Sequence, residues 1–209
     1  MKSLHVFLFS AILLIPLCGA SPIPGHPRLL VSDKDWERLP SRMEADPAVA
    51  EVISTCISRA DAILGKENLT YKLTGRRMLS VSRNAIERIL DLSAAWKVTS
   101  ERKYLERCRT ELLGLSAMKD WHPSHHLDTA EMQTAVAIGY DWLYADLQPA
   151  ERAMCEKALR DKALRPATEL YADDVWCRML ATTGDKSAAV VSLWQRSPFK
   201  ARTKVCRLR

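Results

Sequence analysis

"SRNAIERILDLSAAWKVTSERKYLERCRTELLGL", residues 82–115, decides the fold class of this 209-residue chain. On both sides of Thr99-Ser100 small and apolar residues recur at the steps of three and four that a helix face requires: Ile86, Ile89, Leu90, Ser93, Ala94, Tyr104, Leu105, Cys108, Leu112 and Leu115. Two helices joined by so short a connection lie antiparallel. The stretch therefore predicts a helical hairpin.

The segment before this hairpin contains two more helix starts. Ser32 with Asp35 three residues later is a capping pattern that predicts a short helix. Asp46-Pro47 places a cap and a proline at the beginning of the next helix, and Gly65 is its expected end.

The segment after the hairpin is also helical in pattern. An apolar-rich stretch covers residues 129–144, and a turn at 147–149 precedes a helix expected over about 150–164. No window alternates between apolar and polar residues as a strand does, so we predict an all-α protein built of antiparallel helix pairs. Such pairs close into a bundle, stack as a solenoid or curve into a toroid, and periodicity alone does not separate these three architectures.

The first twenty residues read as a secretory signal peptide. Lys2 precedes an apolar run over residues 6–17, and the small residues Gly19 and Ala20 suit signal peptidase. We expect cleavage after Ala20, a periplasmic or secreted protein, and no stable membrane insertion afterwards, because a bilayer span needs about 18 or more apolar residues. A lipoprotein with Cys18 as the lipidated residue is the alternative.

The positive charge of the chain lies at one end. Residues 176–209 hold eight basic residues and one acid, Asp185, so this segment has a net charge of +7. The whole chain has a net charge of +6, so the remaining residues sum to −1. A nearly neutral body offers no electrostatic footprint for a phosphate backbone, so we expect no nucleic-acid partner.

Three cysteines lie within the helical patterns. Cys56, Cys108 and Cys155 each sit beside apolar positions. We expect them to be buried small hydrophobic residues and not a disulfide framework.

The segment "WHPSHHLDTAEM", residues 121–132, concentrates the residues that perform chemistry. His125 and His126 are adjacent, so on a helix they point about 100° apart and lack the shared face of an H-E-x-x-H site. His122 with Asp128 could still join a zinc site, but the spacing does not specify one. We therefore predict no metal and no cofactor.

The acids of this segment have a structural interpretation. In Asp-Thr-Ala-Glu, Asp128 would cap a helix and Glu131 would reach back to its first turn. The residues around the cap suggest a binding role, because an aromatic ring at a helix N-terminus can stack on a sugar while the helix end favours an anion. Trp121, His125 and His126 are the expected wall of a cleft for an acidic carbohydrate.

Two stretches together resemble a known family. "HPRLLVSDKDWERL" begins at His26, and "HHLDTAEMQTAVAIGYDWLYADLQPAER" begins at His125. Over residues 26–170 the chain resembles the N-terminal helical domain of heparinase II/III-like polysaccharide lyases and the related alginate lyases. The resemblance implies an incomplete (α/α) toroid and a cleft for uronate-containing polysaccharide, with His125, His126, Asp128 and Glu131 near it and Trp121 beside them.

Lyases of this kind cleave by β-elimination. A base removes the proton at C5 of a uronate, another group neutralises the carboxylate, and an acid protonates the leaving O4. The resemblance implies that the catalytic His, Tyr and Glu lie beyond the matching positions. No catalytic residue is therefore assigned in this chain.

The helical pattern breaks after Trp176. If one nucleotide is missing after its codon, the restored frame permits Asn-Asn-Trp over residues 182–184, Gln-Val at 186–187 and then glycines, a series the family is expected to carry here. We therefore expect residues 21–175 to be the N-terminal part of a toroid lyase domain and 176–209 to be an out-of-frame basic tail. The sequence thus predicts an inactive lyase fragment; the alternative is a helical-repeat module that binds a protein partner.

Overall fold

A computed structural model describes residues 25–172, so the predicted signal peptide and basic tail lie outside the described residues. The elements in chain order are α1 (Asp33–Ala45), α2 (Pro47–Leu64), α3 (Leu79–Thr99), α4 (Arg102–Ala117), α5 (His126–Trp142), α6 (Pro149–Ala158), a π-helical segment (Leu159–Leu164) and α7 (Arg165–Ala172). Over residues 25–172 the extended backbone pairs only at an isolated antiparallel bridge between Thr74 and Arg77. The all-α prediction is confirmed.

The predicted hairpin is formed by α3 and α4. Ser100 adopts a left-handed backbone with φ of 57°, and its N–H donates to the carbonyl of Trp96 at 2.9 Å. This geometry ends α3 and turns the chain within two residues. α3 begins at Leu79, three residues before the predicted start, because helix boundaries are fixed by tertiary contacts as well as by pattern.

The predicted helix starts of the N-terminal part are confirmed. The Ser32 N–H donates to a carboxylate oxygen of Asp35 at 2.9 Å, so the capping pattern is formed. The Asp46 carboxylate accepts the N–H of Ala48 at 2.9 Å, and α2 ends at Gly65 as predicted.

α5 is the central helix of the fold. Thirteen of its 17 residues are buried, as expected for a helix that is covered on nearly every side. It packs chiefly against α3, with α4, α6 and the π-helical segment also in contact. Gly139 permits this approach, because a Cβ built there would lie 3.0 Å from Cγ2 of Ile89 and 3.1 Å from Cδ1 of Leu112.

The cysteines of the described helices are free thiols. Cys108 and Cys155 are buried as predicted, whereas Cys56 is half-buried. Burial raises the pKa of Cys155 to about 11 and raises that of Cys108 as well. These two residues therefore act as small hydrophobic side chains in the core.

The helix predicted over residues 150–164 is α-helical in its first part and π-helical in its second. α6 ends at Ala158 and a π-helical segment follows. Within that segment the Lys162 ammonium donates to the carbonyls of Ser116 and Met118, at the C-terminal end of α4. A cation at this end complements the helix dipole and fixes where the next loop begins.

Of the helices within residues 25–172, none combines the length and apolar character that crossing a bilayer requires.

Candidate functional site

The loop between α4 and α5 is anchored by Trp121. Its indole is fully buried, and Nε1 donates to the carbonyl of Leu115 at 3.0 Å. The Thr129 hydroxyl donates to the carbonyl of Trp121 at 2.8 Å, which ties the loop to the first turns of α5. The sugar-stacking role expected of Trp121 is not compatible with this placement, because neither face of the ring reaches solvent. Its role here is to position the histidines that follow it.

Asp128 lies at the centre of the site. Its carboxylate is fully buried, and Oδ2 accepts the backbone N–H of Met78 at 2.8 Å. The same oxygen lies 2.7 Å from Nδ1 of His122 and 3.1 Å from Nδ1 of His125. A buried carboxylate needs partners of this kind to offset the loss of water.

The capping role expected of Asp128 is corrected by this geometry. α5 begins at His126 with His125 in the N-cap position, so Asp128 is the third residue of the helix. It still lies where the helix dipole favours a negative charge. Its carboxylate, however, accepts the N–H of Met78 and lies against two imidazoles, and it does not cap the backbone of α5.

Glu131 also binds across helices. Its Oε2 accepts the hydroxyl of Ser82 at 2.5 Å, and Oε1 lies 3.6 Å from Nε of Arg83. Both partners belong to α3. Glu131 therefore links α5 to α3, and the expected contact with the first turn of its own helix is replaced.

His126 is separated from the two histidines that surround Asp128. It is half-buried, and burial, followed by the neighbouring charge of His125, lowers its pKa from the ordinary value of 6.5. It is not among the residues that line the adjacent pocket. Of the two adjacent histidines, only His125 joins the site; it lies at the N-cap with an extended backbone, whereas His126 is the first residue of α5.

His122 takes the place that the sequence analysis gave to His126. Its backbone lies in the left-handed region with φ of 55°, a conformation that costs a non-glycine residue free energy. The backbone N–H donates to Oδ1 of Asp120 at 2.8 Å, while Nε2 lies 3.0 Å from the hydroxyl of Ser124. These contacts, with Asp128 on the other ring nitrogen, hold the imidazole in one orientation.

A pocket of about 510 Å³ opens beside this cluster. Its lining comes from two segments that are distant in sequence: Leu73, Gly75, Arg76 and Arg77 from one, and His122, Ser124 and His125 from the other. The first segment is a tight turn closed by hydrogen bonds between Thr74 and Arg77 at 2.8 and 3.3 Å. Gly75 has φ of 62° in this turn, which favours glycine there.

The connection that leads to this turn is held by a buried ion cluster. Glu111 is 1% exposed, and its Oε1 accepts from Arg88 and from Arg107, each at 2.6 Å. Its Oε2 accepts the N–H of Leu69 at 3.3 Å, and Arg88 also donates to the carbonyl of Glu67 at 2.7 Å. The connection between α2 and α3 is thereby fastened to α4. It then runs to the turn at residues 74–77, which we call the arginine turn, and on to Met78.

Two arginines bring positive charge to the pocket. Arg76 and Arg77 are exposed residues of its lining, and His122 and His125 line it as well. Such a surface favours a planar anionic group, since guanidinium forks match carboxylate and sulfate oxygens. Asp128 is the acid nearest these imidazoles, and its fully buried carboxylate does not present a negative surface to the pocket.

A second cluster joins the two stretches that suggested the family. Asp141 is 2% exposed, and its Oδ2 accepts the N–H groups of Arg28 and Leu29, each at 2.7 Å. Its Oδ1 lies 2.5 Å from Nδ1 of His26, whose ring stacks on Tyr144 at 4.0 Å. The N-terminal stretch therefore docks onto the C-terminal end of α5.

Trp36 and Trp142 also hold the segment before α1 against α5. Nε1 of Trp142 donates to the carbonyl of Leu29 at 2.9 Å, and the ring meets Trp36 edge-on at 5.1 Å between centroids. The segment before α1 is thus held by hydrogen bonds and by packing. It lies at the opposite end of α5 from the pocket.

Sequence reasoning missed Arg76 and Arg77 and left His122 out of its proposed site. The signal that would have found them is the Thr-Gly-Arg-Arg turn at residues 74–77, followed by Met78 at the start of a helix. That this turn lies beside the histidines depends on the contact between Met78 and Asp128, which are fifty residues apart. Comparison of the chain with protein-family models and with curated proteins gives no match.

Proposed function

We propose that residues 25–172 belong to the N-terminal helical part of a heparinase II/III-like polysaccharide lyase and that the pocket beside Asp128 binds a uronate of an acidic polysaccharide. The observation that supports this most is the pairing of two arginines with two histidines around one pocket. The arginine guanidiniums and the histidine rings offer charged and polar groups that suit a ligand with a carboxylate and several hydroxyl groups. A volume of about 510 Å³ lies within the range of small-molecule sites.

An incomplete (α/α) toroid is the architecture that we propose for this part. Antiparallel helix pairs around the covered helix α5 are compatible with it. The docking of the His26 segment onto Asp141 supports it further, because both stretches that resemble the family contribute to one contact. The protein is proposed to be periplasmic or secreted, on the sequence of its first twenty residues.

The chemistry of the pocket matches one step of β-elimination. Arginine guanidiniums beside a uronate carboxylate neutralise its charge, which lowers the cost of the carbanion-like intermediate. No residue is assigned as the base at C5 or as the acid at O4. We therefore propose a binding role for the pocket and expect no lyase activity from the 209-residue chain itself.

The binding role is tested by calorimetric titration of the 209-residue chain with alginate, heparan-type and chondroitin-type oligosaccharides. Binding of at least one of them, weakened by salt, is expected because exposed charges are screened by ions. A variant with Arg76→Gln and Arg77→Gln should bind at least about tenfold more weakly, since each charge-assisted hydrogen bond contributes about 1.5–3 kcal/mol.

The matched control is a variant with Arg42→Gln and Arg102→Gln, which removes the same charge at two exposed positions away from the pocket. It should bind like the wild type. Equal losses of oligosaccharide affinity in both variants would show that binding depends on net charge alone and not on the pocket. A chain that folds and ignores every uronate oligosaccharide would favour the alternative of a helical-repeat interaction module.

The lyase assignment has its own test. A gene restored in frame after the Trp176 codon should produce a protein that releases unsaturated uronate, detected by its ultraviolet absorbance. Absence of such product over the same panel of polysaccharides would count against the family assignment. It would leave binding by the pocket to be judged by the titration.

A further inference from the structure

We propose that His122, His125 and Asp128 form a binding site for one divalent transition-metal ion of the zinc class, with an open coordination position toward the pocket. The site is inferred from the cluster itself and stands whether or not the pocket binds polysaccharide. It replaces the sequence-based expectation of no metal, which rested on the poor geometry of His125 with His126.

The distances suit a shared ion. The ligand atoms that the three residues offer all lie within 4.8 Å of one another. Nδ1 of His122 and Nδ1 of His125 lie 2.7 and 3.1 Å from Oδ2 of Asp128. Bonds of about 2.0–2.1 Å in a tetrahedral zinc site place neighbouring ligand atoms about 3.3 Å apart. A small outward movement of the two rings therefore makes room for the ion.

Two atoms of the cluster lack partners. Oδ1 of Asp128 and Nδ1 of His125 are buried and accept or donate no hydrogen bond within residues 25–172. The 3.1 Å contact between His125 and Asp128 lacks hydrogen-bond geometry. Leaving a buried polar group unpaired is destabilising, and leaving a buried charged group unpaired is more so. A cation held by the carboxylate and the two imidazoles would give Nδ1 of His125 a partner and would offset the buried charge of the carboxylate.

The surrounding contacts orient the ligands as they do in metal sites. The Met78 N–H holds the Asp128 carboxylate at 2.8 Å, and the Ser124 hydroxyl lies 3.0 Å from Nε2 of His122. When that Nε2 carries the proton, Nδ1 presents its lone pair to the cluster. Contacts to the outer nitrogen of a ligating histidine fix its tautomer and direction in this way.

The donor set and its position define the kind of ion. Two imidazole nitrogens and one carboxylate suit zinc and its neighbours better than calcium or magnesium, which prefer oxygen. Three protein ligands leave a fourth position for water or a ligand group. Both histidines line the pocket, so the pocket is the expected source of the fourth ligand. Arg76 and Arg77 stand at the same rim and would favour an anion there.

The test is direct metal binding by the 209-residue chain after treatment with a chelator. Zn²⁺ is titrated in competition with a chromophoric chelator, and Co²⁺ is followed by its visible absorption. We expect one equivalent of each ion bound at this site and a Co²⁺ spectrum with nitrogen and oxygen ligands. His125→Ala and His122→Ala should each weaken Zn²⁺ binding at least about tenfold, since even outer contacts of metal sites cost 10–100-fold when lost.

His126→Ala is the matched control, because it removes the adjacent imidazole that lies outside the cluster. It should bind Zn²⁺ like the wild type. Circular dichroism of each variant shows whether its helices are retained, and His125 is the decisive position because it is only half-buried. Equal Zn²⁺ affinity in wild type and His125→Ala, or no bound Zn²⁺ in a folded wild type, overturns the proposal. Neither outcome affects the polysaccharide titration, which is performed without metal.

Discussion

Met78 donates its backbone N–H to the buried carboxylate of Asp128 at 2.8 Å, and this contact joins the two segments of the candidate site. Met78 immediately follows the arginine turn and begins the run into α3, while Asp128 lies in the first turn of α5. The hydrogen bond therefore sets the distance between the arginines and the histidines across the pocket. Its removal should affect both stability and binding.

Replacing Asp128 with Ala should destabilise the fold. The change leaves the Met78 N–H and the imidazole of His122 without their buried acceptor, a loss of about 2–4 kcal/mol in the free energy of unfolding. Urea unfolding followed by circular dichroism measures it. Asp33→Ala, at an exposed position of α1, is the control and should change stability by less than about 0.5 kcal/mol. Similar values for the two variants would contradict a structural role for Asp128.

The close approach of α5 to the hairpin predicts opposite effects at two glycines. Gly139→Ala places a Cβ 3.0 Å from Ile89 and 3.1 Å from Leu112, so it should cost about 1–3 kcal/mol. Gly114→Ala, within α4, meets nothing within 4 Å and should stabilise by about 0.5–1 kcal/mol through its helix propensity. Thermal unfolding of both variants tests this pair. If Gly139→Ala stabilised the protein, the close approach of α5 to α3 and α4 would be contradicted.

The docking of the N-terminal segment depends on Asp141. Asp141→Ala removes the acceptor of the Arg28 and Leu29 amides, so these two amides should exchange with solvent faster by about tenfold or more. Hydrogen exchange measured by NMR resolves them individually. The Asp33→Asn variant of α1 should leave their exchange unchanged. Unaltered protection in Asp141→Ala would show that packing of Trp36 and Trp142 alone holds the segment.

His26 should make stability depend on pH. Burial lowers its pKa below the ordinary value of 6.5, and the charge of Arg28 adds to this, while the hydrogen bond to Asp141 opposes it. The unfolded chain then binds the proton more readily than the folded chain does. Stability therefore falls as the pH drops from about 6.5 to the folded pKa and levels off below it.

The difference between wild type and His26→Gln isolates this effect from other titrating groups. The free energy of unfolding of the variant should fall less steeply with decreasing pH below 6.5 than that of the wild type. An NMR titration of the His26 ring provides the direct check. A pKa above 6.5 would mean that Asp141 outweighs burial, and the slope should then have the opposite sign.

Local patterns were sufficient to predict most helices of this chain. Asp46-Pro47 and Gly65 delimit α2 because their effects act within one turn. The same reasoning misplaced the start of α5 by taking Asp128 for its cap. The carboxylate there has a stronger partner in Met78, and a sequence pattern does not reveal a hydrogen bond that spans fifty residues.

The composition of the site was less predictable for the same reason. Trp121 was expected in the wall of a sugar cleft because an aromatic ring at a helix N-terminus can stack on a sugar, yet its ring is buried in the core and its indole N–H donates to Leu115. Arg76 and Arg77 lie in a short turn with no helical periodicity to place them. Only the folded chain brings them to the pocket opposite His125.

Binding of a uronate in the pocket beside Asp128 is tested by NMR chemical-shift mapping. A uronate oligosaccharide that binds in the titration is added to ¹⁵N-labelled protein. Binding in the pocket predicts shifts concentrated at Gly75, Arg76, Arg77, Ser124 and His125, with the amides of Arg28 and Leu29 at the far end of α5 unchanged. Shifts centred on the far end, or none at the pocket while the oligosaccharide binds, would contradict it.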